Sequence, residues 1–248
     1  MLKMMDDLIV AIRERCRAAD SVLAMPDEIP FACGEGVGRA VVLRKDTAVE
    51  LGGVSEVSCA FTLATSDTNL VRDATVNLRG RDIPDISAGS EIPFAQVILV
   101  AGRSLDADDL EVLGECQYAK GYIDGYLVRS TPGHVWSRVS VNLKAKGFDL
   151  ASLGSAMRRM ILARVPHAES VEVIYITSAK EEVLALDPIR VEWQNRAHDL
   201  RKELWIERGI DIDCPYGGGH CGRCDKKETC DEVRKMTTSR KHDEKVGA

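Results

Sequence analysis

The sequence has no apolar run long enough to cross a bilayer, since Val97-Ile98-Leu99-Val100-Ala101 falls far short of the ~20 residues that a spanning helix needs. Near the start, Leu8-Ile9-Val10-Ala11-Ile12 is too short for a signal h-region and is flanked by Asp6, Asp7, Arg13 and Glu14. No membrane association and a cytoplasmic location are expected. An excess of positive charge is lacking as well: Lys+Arg 33 against Asp+Glu 39 leaves a formal net charge of −6 over 248 residues. Such a field repels polyanions, which argues against nucleic acid as a partner. No internal repeat is visible, and no acid/base pair or Ser/His/Asp set can be assembled from sequence alone. The glycine run Gly34-Glu35-Gly36-Val37-Gly38 precedes the strand-like Ala40-Val41-Val42-Leu43 instead of following a strand and opening a helix, so it is no dinucleotide fingerprint. What remains is an ordinary globular composition, 45% hydrophobic and 29% charged, with room for one large domain or two small ones.

Periodicity supplies the outline. Residues 3–23 read as an amphipathic helix carrying Leu8, Ile9, Ile12, Cys16 and Ala19, ending before Met25-Pro26. Short β-branched runs follow, with strands predicted at Arg39–Arg44, Val57–Ala64 and Thr75–Arg79. A buried strand at Ala95–Ala101 leads into a helix whose stripe is Val112, Cys116, Ala119, Ile123 and Tyr126, with Ser104 as N-cap and Asp106, Asp108 and Asp109 in its first turns. A strand around Val135–Val141, a helix after Asp149, an alternating strand Val171–Ile176 and a long helix after Pro188 complete the pattern. The alternation predicts an α/β fold, a mixed β-sheet layered with helices. The expected division is an N-terminal helix at 1–25, an α/β domain at 26–210, a cysteine-rich metal-binding segment at 211–232 and a disordered tail at 233–248.

Of eight cysteines, Cys16, Cys33, Cys59 and Cys116 stand singly and read as small packing residues. Cys214, Cys221, Cys224 and Cys230 form C-x6-C-x2-C-x5-C. Thiolates at such short spacings can converge on one centre, and Gly217, Gly218, Gly219 and Gly222 would let the backbone wrap an inorganic core. Arg223, Lys226 and Lys227 add positive charge that lowers thiol pKa values. Four thiolates suit a [4Fe–4S] cluster or tetrahedral Zn²⁺, and a single C-x2-C knuckle with unequal outer gaps favours iron–sulfur. His220 adjoins a ligand and reads as a solvent-facing or supporting imidazole.

Four pieces in order resemble the beta subunit of the carbon monoxide dehydrogenase/acetyl-CoA synthase complex: Val49-Glu50-Leu51-Gly52-Gly53, Val100-Ala101-Gly102-Arg103, Trp136-Ser137-Arg138-Val139-Ser140 and Lys146-Gly147-Phe148. The resemblance runs from about Pro26 to Cys214 and covers the family's central domain. It implies partnership with protein subunits of an anaerobic CO/corrinoid/acetyl-CoA assembly. In the family, a following domain bridges a [4Fe–4S] cluster to two nickel ions, the distal one held by Cys-Gly-Cys. Here no Cys-Gly-Cys occurs, and the family's leading C-x2-C pair is absent from the cysteine spacing.

The central domain's coenzyme A role is therefore the implication that carries over best. Trp136 and Arg138 match the family's Trp-x-Arg, where an indole stacks on adenine and guanidinium binds phosphate. Alternation along a strand puts both on one face, and Arg72, Arg79, Arg81 and Arg103 are further phosphate candidates. The bland reading makes Trp136 a half-buried core aromatic with Arg138 as its cover. Three functions stay open at this point: an iron–sulfur accessory or subunit with a coenzyme A site, an acyltransferase of the CO-methylating acetyl-CoA synthase type with a reduced metal site, and a zinc-stapled interaction module.

Overall fold

The computed structural model describes residues 5–16, 19–38, 44–53, 55–131 and 134–207, with Glu228 besides. Two compact units divide the chain, Met1–Arg196 and Ala197–Ala248. The fold set out here is that of the first. Of the second, the described part is Glu228 and the end of the helix Asp187–Glu207.

Every residue of the strand Phe94–Ala101 is buried, the continuous apolar pattern of a strand with both faces covered. Numbered in chain order, it is β6 of the nine strands found among the described residues, which form two mixed sheets. The larger sheet has the order β1 (Ser21–Ala24), β4 (Thr75–Arg79), β9 (Ser170–Ile176), β6, β3 (Ser58–Thr65). Its β4–β9 and β3–β6 pairs are parallel, while β1–β4 and β6–β9 are antiparallel. The smaller sheet runs β5 (Glu91–Ile92), β2 (Ala48–Leu51), β8 (His134–Ser140), β7 (Tyr126–Thr131), with β8 antiparallel to both neighbours.

One core joins the two sheets. Val76, Leu78, Ile98, Val100 and Tyr175 from the larger, Leu153, Met157 and Ile161 from the helix α4 (Leu150–Arg164), and Val49, Leu51, Val135 and Val139 from the smaller belong to a single buried cluster. The alternation along β8 then decides what faces outward. Val135, Ser137 and Val139 are buried, and His134, Trp136 and Arg138 lie half-exposed on the opposite side. On the other face of the larger sheet, α1 (Asp6–Arg15) buries Leu8, Ile9 and Ile12. There the fully buried Glu172 accepts hydrogen bonds from Arg13 Nη2 at 2.5 Å, from Asn77 Nδ2 at 2.7 Å and from the Arg72 amide at 2.7 Å. A carboxylate survives burial only with partners of this kind.

Three sequence expectations are corrected. The first helix does not reach residue 23: it ends at Arg15, and Ser21–Ala24 pairs with β4 because the ladder to Thr75–Leu78 outweighs a marginal helical stripe. The second helix, α2 (Ala107–Cys116), is capped by Asp106 and not Ser104, since the Asp106 carboxylate accepts from the Asp108 and Asp109 amides while Asp109 returns a bond to the Asp106 amide. It also stops at Cys116. Ala119, Ile123 and Tyr126 are buried as expected, but through a turn and the start of β7, with Gly121 and Gly125 at positive φ. The strand read at Arg39–Arg44 falls largely outside the described residues, and β1, β2, β5 and β7 are strands that periodicity did not predict.

Cys59 and Cys116 are buried, and Cys16 and Cys33 half-buried. Burial pushes the Cys59 thiol up to about 12 and the Cys16 thiol up to about 11, which suits packing residues and not nucleophiles.

The N-terminus of α4 rests on two carboxylates: Asp149 accepts from the Ser152 amide at 2.7 Å, and Asp82 Oδ1 accepts from the Leu150 amide at 2.9 Å. Burial pushes the Asp82 carboxyl above the ordinary aspartate range despite its amide donors. The folded chain thus holds this proton more tightly than the unfolded one, and its contribution to stability is lost as pH rises through the folded value. Asp82→Asn keeps the acceptor and removes that loss. Relative to the unsubstituted protein, its melting temperature should be higher at about pH 7 than at about pH 3; a relative melting temperature that falls as pH rises would contradict the assignment.

Candidate functional site

The outward face of the smaller sheet carries Trp136 and Arg138, two of the residues that the sequence singled out. Glu50 on β2 stands directly opposite Arg138 on β8, so both side chains project from the same face. Glu50 is almost fully buried, and an anion there needs partners. It has three contacts: Trp136 Nε1 donates to Oε2 at 3.2 Å, Arg138 Nε donates to Oε1 at 2.9 Å, and Arg138 Nη2 lies 2.7 Å from Oε1. The Arg138 guanidinium also lies over the indole, 4.5 Å from its centroid. From β7, Arg129 pairs with Trp136 in register and brings a second guanidinium to 5.8 Å from the same ring.

The neighbouring groups complete a polar surface. Glu91, beside Glu50 in the β2–β5 register, takes Lys45 Nζ at 3.0 Å and the Ser55 amide at 2.7 Å. Burial works against its ionisation, but Lys45 and the Ser55 donors outweigh that and hold the carboxyl below the ordinary glutamate range. At the other end of β8, His134 Nδ1 lies 2.5 Å from Ser58 Oγ, which accepts from the Val135 amide at 3.0 Å.

Gly52 and Gly53 make this packing possible. Gly52 has φ +64°, and a Cβ there would sit 2.5 Å from Val135 O and from Ser58 Cβ. At Gly53 a Cβ would overlap the Glu91 carboxylate.

The structure therefore brings Trp136 and Arg138 onto one face, as alternation predicted, yet Arg138 is already ion-paired. It does not bring the other arginines there. Arg72, Arg79, Arg81 and Arg103 lie on the larger sheet or its loops, with Arg79 paired to Glu182 and Arg103 near Glu169. Sequence reading missed Glu50, Arg129 and Glu91. Glu50 had a signal, an acidic residue between Val49 and Leu51 in an apolar strand that demands a donor, whereas nothing near Arg129 distinguishes it from a surface arginine.

The four thiols Cys214, Cys221, Cys224 and Cys230 lie outside the described residues. Among the described residues, Asp106, Asp109 and His167 gather potential ligand atoms within 4.8 Å. Those carboxylates are engaged in the α2 cap, and His167 Nδ1 contacts Asp109 at 2.8 Å, so the group reads as a helix terminus.

Residues 29–183 match the model of the CO dehydrogenase/acetyl-CoA synthase complex beta subunit family, CdhC. The chain belongs to this family. It is similar to acetyl-CoA decarbonylase/synthase complex subunit beta 2 of Methanocaldococcus jannaschii, 31% identical over 199 residues, which is 79% of this chain and 40% of the relative. The beta subunit of Methanothermobacter thermautotrophicus is 29% identical over 171 residues, 68% of this chain and 35% of the relative. For beta 2 of Methanosarcina mazei the identity is 27% over 200 residues, 79% and 41% respectively. The chain thus spans between 25% and 41% of the length of these and similar relatives. Glu50, Gly52, Trp136 and Arg138 all fall inside the family-matched span, and the cysteine segment falls beyond it. No described helix is long and apolar enough to cross a membrane.

Proposed function

We propose that this CdhC-family chain is an iron–sulfur accessory or subunit of an anaerobic CO/corrinoid/acetyl-CoA assembly, and that the outer face of its smaller sheet receives coenzyme A. The observation that carries the second part is the indole of Trp136, held by Glu50 on an outward face within the family-matched region. An orientationally fixed indole is a ready stacking platform for adenine. The assembly is proposed because the relatives are, by name, subunits of acetyl-CoA decarbonylase/synthase complexes.

For the cysteine segment the supporting chemistry is the donor set itself. Cys214, Cys221, Cys224 and Cys230 offer four thiolates in a glycine-rich stretch of sequence, which fits a [4Fe–4S] cluster and also fits tetrahedral zinc. A [4Fe–4S] cluster, if held by these four thiolates, would supply one-electron transfer. The residues at 211–232 are thereby proposed as the metal-binding segment.

Anaerobic determination of iron, sulfide, nickel and zinc on the intact protein tests this. Iron and sulfide in equal amounts, lost in Cys221→Ser, are the expected result. Stoichiometric zinc without iron makes the segment a zinc staple instead, and nickel together with exchange of labelled CO into acetyl-CoA makes the chain an acyltransferase.

A further inference from the structure

The face of the larger sheet that α1 covers holds a cavity of about 400 Å³. Its floor is a row across three strands: Val22 on β1, Asn77 on β4 and Ile174 on β9 stand side by side in register, so their side chains project together. One wall is α1. Leu8, Ile9 and Ile12 pack that helix down, and Val10, Arg13 and Glu14, at i, i+3 and i+4, form the flank that lines the cavity. Arg72, from the segment before β4, lines it as well. Both α1 and β1 precede the family-matched span 29–183.

The charged groups of this cavity are of two kinds. Arg13 and the fully buried Glu172 are spent on each other, Nη2 to Oε2 at 2.5 Å, and Asn77 Nδ2 donates to the other carboxylate oxygen at 2.7 Å. That pair fixes α1 to the sheet. The Arg72 guanidinium and the Glu14 carboxylate are exposed, and neither has an ion-pair or hydrogen-bond partner among the described residues. Two arginines against two glutamates leave the cavity neutral in sum, with one uncommitted cation and one uncommitted anion. Beside them the apolar lining is open to water, with Val22 58% and Val10 43% exposed.

We infer that this cavity is a binding site for an α-amino acid with an apolar side chain. The ligand's carboxylate meets the Arg72 guanidinium through parallel N–H donors, its ammonium meets Glu14, and its side chain covers Val10, Val22 and Ile174. The electrostatics select a zwitterion. A simple anion would leave Glu14 unmatched on a chain whose net charge is already −6, and a simple cation would leave Arg72 unmatched. The volume lies at the small end of the range for ligand sites, as a ligand of this size requires. None of these residues belongs to the Trp136 face, so the site stands whether or not coenzyme A binds there.

Calorimetric titration of the full chain with L-leucine tests the site, beside isocaproate, which lacks the ammonium, isoamylamine, which lacks the carboxylate, and glycine, which lacks the apolar body. Leucine should bind saturably, and each of the other three should bind about tenfold more weakly or worse. Arg72→Gln and Glu14→Gln should each weaken leucine about tenfold while leaving the melting temperature of the unliganded protein unchanged, since neither side chain has a described partner to lose. If neither leucine nor phenylalanine binds saturably, the site is overturned. Isocaproate binding as tightly as leucine overturns the amino-acid class, and leucine binding undiminished in both variants overturns the assignment of Arg72 and Glu14 to its two charges.

Discussion

Glu50→Ala should lower the unfolding free energy by about 3 kcal/mol, which would make it one of the most damaging single changes on the smaller sheet. The substitution removes the carboxylate that faces Arg138, about four-fifths buried, and takes from Trp136 Nε1 its acceptor. Loss of one member of a buried pair costs more than the pair contributes, because the remaining charge keeps its desolvation penalty. Arg138 retains some access to water, which places the effect at the lower end of the range for buried pairs. Glu50→Gln, which keeps an acceptor oxygen, should cost about half as much. Urea denaturation with the slope held constant measures both. A Glu50→Ala midpoint indistinguishable from the parent would mean that the Trp136–Glu50–Arg138 group is a surface arrangement of little weight.

Gly52→Ala is the second large effect, again about 3 kcal/mol, from two independent causes. An alanine at φ +64° costs roughly 1 kcal/mol relative to glycine. Its Cβ would also press on Val135 O and Ser58 Cβ, both 2.5 Å away, and the first of these is backbone that cannot turn aside. The strands β2 and β8 would have to separate, which adds about 2 kcal/mol of overpacking and tilts the Trp136 ring. Gly53→Ala is the control. The atoms it overlaps belong to the Glu91 side chain, which can change rotamer, so its cost should stay near 1 kcal/mol. Equal destabilisation by the two substitutions, measured as shifts in melting temperature, would show that the backbone approach at Gly52 is not what constrains the sheet.

The motif residues therefore divide by physical role. In Val49-Glu50-Leu51-Gly52-Gly53, Val49 and Leu51 fill the core, Glu50 orders the outer face, and the two glycines let β8 and Glu91 come close. In Val100-Ala101-Gly102-Arg103, a Cβ at Gly102 would overlap His167 O, so this glycine serves the seam between β6 and the approach to β9. Phe148 of Lys146-Gly147-Phe148 is fully buried with its ring 5.5 Å from Tyr126 and 5.2 Å from Phe31. These segments mark packing constraints as much as chemistry.

Composition, charge and hydrophobic period determined much about this protein unaided. A continuous apolar run or an apolar alternation of the right length is enough to place β3, β4, β6, β8 and β9 to within a residue or two, and Asp149 marks the start of α4, because burial and capping are local consequences of residue type. The C-x6-C-x2-C-x5-C spacing is also read from the chain alone, and its residues lie outside the described ones. Tertiary structure alone decided that Ser21–Ala24 is a strand, that Tyr126 begins one, and that Arg138 faces Glu50 while Arg129 stands beside Trp136. Those outcomes depend on which strand lies next to which, and the partners are separated by 88 residues in one case and 7 in the other. The first pairing lies beyond any local window and the second is set by the register of β7 on β8, so the neutralisation of Arg138 and the place of Arg129 beside the indole appear only when the sheet is assembled.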